Sequence, residues 1–261
     1  MIWIEPIGGL CNRMRAINSA YHLALDLGQE LTVIWTARAE LNCSFGKLFK
    51  KLSQVQLIEN VGKTARRYKL RRYFSDLYLN EEAVGRLNGN DPMIPISFFR
   101  EKKRIYIHTG YQFYRTENYP KLFVPTEEVR NLVEGQKRQW KERMVGVHIR
   151  RTDNTSAIRG SSTEGFIMQM EKELLQEPET CFFLATDSNM ESETLCKKFG
   201  SRIYMQENKK LERDSEEGMK AALVDLLCLA GTEKIIGSYW SSFTDLSSEY
   251  YGIEKVIVFD E

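Results

Sequence analysis

The feature that most constrains this chain is a regular alternation of two hydrophobic periods after residue 125. Helical spacing predicts helices over 126–142, 161–175, 190–199, 215–230 and 243–251. Short apolar runs between and after them predict strands over 144–149, 181–185, 202–205, 234–237 and 255–259. Strands separated by helices of this length form parallel sheets covered on both faces. The beginning of the chain has the same character. Residues 1–7 read as a buried strand that Gly8-Gly9 breaks. Leu10, Met14, Ile17, Tyr21, Ala24 and Leu27 then recur at helical spacing. Gly28 follows where a C-cap glycine belongs, and 31–35 reads as a second strand. The expected fold class is α/β, with two Rossmann-like halves, 1–123 and 124–261, whose parallel sheets face each other across a cleft. Between them, Ser44 starts a short helix carrying Phe45, Leu48, Phe49 and Leu52. Residues 55–58 and 104–108 read as strands, and 63–103 show no assignable period.

Composition narrows the class. The 261 residues are 42% hydrophobic, enough for one large core or two small ones. A formal net charge of +1 lacks the basic excess of a dedicated nucleic-acid binder, so no nucleic-acid partner is expected. The five cysteines are odd in number and include no C-x-x-C pair, which points to reduced, mostly buried thiols. No run reaches ~18 apolar residues, and the first residues lack the charged start and small-residue cleavage site of a secretory leader. A cytoplasmic protein is the expectation. The basic, aromatic stretch 63–73 reads as a solvated helix face, or as contact with an anionic acceptor or the inner face of a membrane bearing one.

Chemistry concentrates where strands end. Val145-Gly146-Val147-His148-Ile149-Arg150-Arg151-Thr152-Asp153-Asn154 runs from apolar strand into a polar cluster. Open α/β sheets bind ligands at that carboxyl edge. An arginine fork can make paired bonds to a phosphate, and its charge does not titrate away. Leu184-Ala185-Thr186-Asp187-Ser188 and Gly237-Ser238-Tyr239-Trp240-Ser241-Ser242-Phe243 end two later strands. The second of these leads into a helix whose N-terminal amides suit an anion. Asp187 has the chemistry to accept the N1–H and amino group of guanine, and equally to cap a helix. The turn Gly8-Gly9-Leu10-Cys11-Asn12-Arg13 allows close approach of backbone to a ligand but is not the dinucleotide fingerprint G-x-G-x-x-G.

His148-Ile149-Arg150-Arg151-Thr152-Asp153 resembles the H-x-R-R-x-D signature of the α-1,6-fucosyltransferases, to which protein O-fucosyltransferases are more distantly related. Leu184–Asp187, Ser241-Ser242-Phe243 and Gly8–Arg13 resemble that family's other motifs in order and approximate spacing. The resemblance implies a GT-B fold, GDP-fucose as donor, inversion at the anomeric carbon and no metal or other cofactor. It implies that Arg150 binds the β-phosphate, His148 and Asp187 the guanine, and Ser241, Ser242 and the Gly8-Gly9 backbone the pyrophosphate. Asn12, Arg13, Arg151 and Phe243 complete the expected donor contacts. The sequence contains no Asp-x-Asp, so a fixed cation such as Arg150 is the available substitute for a divalent ion. Residues 154–158 carry no carboxylate where the family places its base. Asp153 is the nearest candidate catalytic carboxylate, and Glu5 a distant second. The acceptor expected is a glycan or lipid-linked oligosaccharide. A transferase using another nucleotide sugar, or a non-catalytic nucleotide-sugar-binding module, fits the same motifs.

Overall fold

The computed structural model describes residues 1–59, 67–89, 93–152, 155–207, 209, 210, 212 and 214–260. The chain divides into two compact units. The first holds Met1–Thr126 and Glu212–Met219, the second Glu127–Leu211 and Lys220–Glu261. The return of 212–219 into the first unit has no signal in composition or period.

The first unit is a parallel five-stranded sheet. Its strands are β1 (Ile2–Pro6), β2 (Leu31–Trp35), β3 (Val55–Glu59), β4 (Leu77–Asn80) and β5 (Ile105–Thr109), in the order β3-β2-β1-β5-β4. Every residue of β1 and β2 is buried, which is why both read as continuous apolar runs rather than alternating ones. Helix α1 (Leu10–Leu27) crosses from β1 to β2. It ends on Gly28 at φ 60°, the left-handed cap that a glycine adopts without Cβ strain. Helix α2 (Phe45–Leu48) is a single turn, and Trp35, Phe45, Phe49 and Phe123 form a chain of edge-on and tilted ring contacts around it.

The region without a period resolves into small pieces. A 3-10 turn, Leu70–Phe74, leads into β4, and helix α3 (Glu81–Asn88) follows, capped by the Asn80 side chain. Strand β4 lies at the sheet edge and buries only Leu79, so its four residues leave no pattern to detect. Helix α4 (Tyr119–Leu122) closes the unit.

The second unit is another parallel five-stranded sheet. Its strands are β6 (Met144–Ile149), β7 (Cys181–Thr186), β8 (Ile203–Tyr204), β9 (Lys234–Ser238) and β10 (Glu254–Val258), in the order β10-β9-β6-β7-β8. The helices are α5 (Glu127–Lys137), α6 (Thr155–Gly160), α7 (Thr163–Gln176), α8 (Asn189–Phe199), α9 (Glu216–Ala230) and α10 (Ser242–Tyr251). Val145, Val147, Ile149, Phe182, Leu184 and Ile236 from the sheet pack with Phe166, Met170 and Leu195 from helices α7 and α8.

Two expectations need correction. The helix expected over 126–142 stops at Lys137, because Trp140 turns back to pack its ring 5.5 Å from Phe183, with Lys137 over its face. Helix α9, expected to be amphipathic, is buried at every position from Leu223 to Ala230. Its one acid there, Asp225, is tolerated because Gln206 and Lys209 donate to it at 2.5 and 2.6 Å.

Candidate functional site

The strand order fixes where a ligand can sit in the second unit. From β6 the chain moves one way to β7 and β8, then returns to the other side for β9 and β10. The carboxyl ends of β6 and β9 therefore flank a topological switch point, the usual ligand crevice of an open α/β sheet. The Arg150 amide, just past β6, donates to Ser238 Oγ at 3.0 Å, and Ser238 Oγ donates to the His148 carbonyl. Helix α10 begins four residues after Ser238. Its N-cap, Ser241, makes no side-chain capping bond, so the first-turn amides keep their capacity for an anion. Gly237 makes this close packing possible: a Cβ there would lie 2.1 Å from Thr244 Cγ2.

A ring of carboxylates shapes the arginine loop. Asp187 Oδ1 accepts the Arg151 amide at 2.7 Å. Its Oδ2 accepts the Thr152 hydroxyl at 2.7 Å and amide at 3.4 Å, and lies 3.3 Å from Arg150 Nε. Three contacts on one oxygen leave Asp187 unable to offer both oxygens to a guanine edge. In this structure it holds the loop and orients Arg150. Arg151 turns into the protein, donating Nε to Glu191 at 2.6 Å, with its guanidinium 5.9 Å over the Phe166 ring. Glu191, buried, also accepts from the Thr163 hydroxyl at 2.8 and 3.0 Å. Arg151 is thus a strut beneath Arg150, where a donor contact was expected. Glu191 was missed from sequence although Ser188-x-x-Glu191 spells a capping box at the start of α8, with Ser188 Oγ accepting the Glu191 amide.

His148 is buried on β6, its Nδ1 2.8 Å from Thr244 Oγ1 and its ring stacked 4.8 Å from Phe243. Burial, reinforced by Arg150, pushes its pKa down to about 3, so it is neutral at physiological pH. Burial also lowers His22 and His108. All three histidines bind protons more readily unfolded than folded. Stability should therefore be intact above pH ~6.5 and fall as pH drops below it, by up to about 1.4 kcal/mol per pH unit for each histidine. Denaturant unfolding between pH 7 and 5 measures this slope. His148→Gln should remove about one proton's worth, and an unchanged slope would mean that His148 is solvated.

The first unit carries the other predicted positions. Gly8 has φ +78° and Gly9 caps α1, whose first turn has neither an acidic residue nor a side-chain cap. Asn12 packs under the turn: a Cβ on Gly8 would meet its Nδ2 at 3.0 Å. Arg13 is wholly buried. It donates Nε to the Gly8 carbonyl at 2.8 Å and Nη1 to the Thr36 carbonyl at 2.7 Å, with its guanidinium 4.9 Å over Trp35. Arg13 therefore braces the glycine turn from beneath. Glu5 is buried between Lys69 at 2.6 Å, Arg38 at 3.0 Å and the Tyr106 hydroxyl at 3.0 Å. These partners outweigh its burial and hold its carboxyl below the usual range, which makes it a poor base. Asp153 lies outside the described residues. Among the described residues no group of three His, Cys, Asp or Glu is placed to hold a metal ion, and no helix is long and apolar enough to cross a membrane.

The two parallel five-stranded sheets are a two-sheet α/β fold that this chain shares with solved structures of fucosyltransferases. In particular, the chain matches fucosyltransferase NodZ from Bradyrhizobium with a TM-score of 0.68 at 16% identity, over 94% of this chain and 91% of that one. It matches Arabidopsis thaliana FUT1 with a TM-score of 0.68 at 15% identity, over 100% of this chain and 70% of that one. It matches POFUT1 with a TM-score of 0.59 at 8% identity, over 98% of each chain. Structures of NodZ, an alpha-1,6-fucosyltransferase, include a crystal soaked with GDP-fucose, and POFUT1 has been solved with GDP and with GDP-fucose. No family model matches the sequence, and no curated protein matches it.

Proposed function

We propose that this chain is an inverting, metal-independent glycosyltransferase that transfers fucose from GDP-fucose to a glycan or lipid-linked oligosaccharide. The observation that carries the reading is Arg150. It sits at the switch point of the second sheet, oriented by Asp187 and tied through its amide to Ser238, beside the start of α10. The structures that share this fold include complexes with GDP and GDP-fucose, which supports the same donor here. In the proposed step an acceptor oxygen forms a bond to the anomeric carbon while the bond from that carbon to the β-phosphate oxygen breaks. The electron pair leaves on the diphosphate, and the acceptor proton passes to the Asp153 carboxylate. Negative charge grows on the β-phosphate, so a fixed cation stabilises the transition state more than the ground state. Arg150 supplies that charge, and Ser241, Ser242 and the Phe243 amide supply hydrogen bonds at the helix start. The glycine turn of the first unit, Gly8-Gly9 with Asn12, is proposed to bind an anionic group of a substrate through its backbone. GDP release from GDP-fucose tests the reading and should persist in EDTA. Activity lost in EDTA and restored by manganese or magnesium would overturn metal independence, and release from UDP-sugars alone would overturn the donor.

One observation in the first unit supports contact with a membrane that bears a lipid-linked acceptor. Tyr68 packs against Trp3, Ile34 and Tyr106, Lys69 pairs with Glu5, and Arg71 lies 5.6 Å over Trp3. These anchors leave Leu70, Tyr73 and Phe74 exposed at 54%, 67% and 67%, with Arg72 among them. Apolar side chains interleaved with arginine suit an anionic membrane interface. The protein should co-sediment with phosphatidylglycerol vesicles more than with phosphatidylcholine ones. A Leu70→Ser, Tyr73→Ser, Phe74→Ser variant should lose that binding; equal sedimentation with both lipids, or none, would reject the contact.

A further inference from the structure

We propose that Trp240 is the platform on which the purine ring of the donor stacks, an assignment that rests on the nucleotide-sugar reading above. Among the described residues only three non-glycine residues have positive φ: Gln54, Asn118 and Trp240, the last at 53°. Asparagine tolerates that region; a bulky aromatic residue does so rarely and at a cost in energy. Burial does not offset the cost, because Trp240 is 71% exposed.

The conformation is imposed by its neighbours. The Tyr239 amide donates to Ser161 Oγ at 2.8 Å, and Ser161 Oγ donates to the Val258 carbonyl at 2.7 Å. The Tyr239 ring packs 4.7 Å from Phe259 and so closely over Gly160 that a Cβ there would lie 2.9 Å from it. With Tyr239 pinned and Ser241 capping α10, the backbone at Trp240 is set, and its indole lies 6.0 Å from the Tyr239 ring with most of its surface open to solvent. That place is the switch point itself. Trp240 is two residues from Ser238, hence at most ~7 Å along the chain from the residue that receives the Arg150 amide.

The ligand class follows from what the rest of the edge provides. Arg150 and the start of α10 would hold any diphosphate, and neither recognises a base. Both Asp187 oxygens accept bonds from the arginine loop, and His148 is buried beneath Phe243. Trp240 is the exposed aromatic of this strand-to-helix connection, and a flat π surface beside a phosphate site suits a nucleobase. Stacking favours the larger purine over a pyrimidine, which gives a preference for GDP over UDP without a full set of edge hydrogen bonds.

The decisive variant is Trp240→Gly. Glycine adopts the left-handed conformation without strain, so the turn keeps its shape while the ring is removed. Binding of GDP and of inorganic pyrophosphate is measured by calorimetry for the wild type, Trp240→Gly and Trp240→Phe. Trp240→Gly should bind GDP about tenfold or more weakly, pyrophosphate as the wild type does, and Trp240→Phe should fall between. GDP should also shield the wild-type protein from acrylamide quenching, since Trp3 and Trp35 are buried, Trp140 is half-buried against Phe183, and the most accessible emission is that of Trp240. Unchanged GDP affinity in Trp240→Gly would overturn the proposal, including the case where only an acceptor's KM rises. Equal losses for GDP and pyrophosphate would overturn it too, by showing that the residue shapes the turn. A wild-type protein that binds neither ligand would instead remove the nucleotide-sugar reading, and this proposal with it.

Discussion

Arg150→Ala is expected to lower turnover of GDP-fucose by about 10²–10³-fold in a protein that still folds. The loss corresponds to roughly 3–4 kcal/mol of barrier. It should fall mainly on kcat, because the charge that Arg150 answers grows only as the sugar departs. Arg150→Lys separates charge from geometry. Lysine keeps a cation but not the planar fork that Asp187 orients from the Nε side. It should recover donor affinity more fully than turnover. Circular dichroism and unfolding curves establish that both variants are folded. A folded Arg150→Ala protein with near-normal turnover would remove Arg150 from the chemistry.

Glu191→Gln should be among the most destabilising single changes in the second unit. The Arg151 and Glu191 side chains are 13% and 4% exposed, and their contact is 2.6 Å. Removing one partner strands a buried charge, which costs about 3–5 kcal/mol. The effect should reach the site, because Arg151 leads directly from Arg150 and its amide is held by Asp187. The surviving folded fraction should show weaker GDP binding. Arg151→Met combined with Glu191→Leu should recover much of the stability, since an apolar pair of similar size leaves no charge unpaired. Urea denaturation of the single and double variants measures both effects. A loss below about 1 kcal/mol in Glu191→Gln would mean that water reaches the pair and that Arg151 is not a strut.

These two residues mark how far the sequence could be read. Strand β6 was visible because all six of its residues are buried and apolar or nearly so, and a polar cluster at the end of such a strand has few other uses. The same logic located the ends of β7 and β9. It could not say which polar group faces a ligand and which faces another protein group. Arg150 and Arg151 are adjacent and chemically identical, yet one sits at the switch point and the other is consumed by Glu191, forty residues away in the chain. Asp187 read equally as a base reader or a cap, and the residue type alone did not show that its oxygens bond the arginine loop. The middle of the first unit was opaque for a different reason. Strand β4 has one buried residue, and a period of two needs more than that to register. Helix α9 was placed within one residue of its bounds, but its second half is apolar on so many sides that the sequence could not show it to be buried all round.

The central claim, that the switch point of the second sheet binds a guanine nucleotide through Arg150, is tested most directly by calorimetric titration of GDP and UDP into the wild-type protein in EDTA, with Arg150→Ala alongside. The account predicts saturable one-to-one binding of GDP, tighter than that of UDP, undiminished by the chelator and strongly weakened in Arg150→Ala. Absence of GDP binding, equal binding of GDP and UDP, or full affinity in a folded Arg150→Ala protein would contradict it.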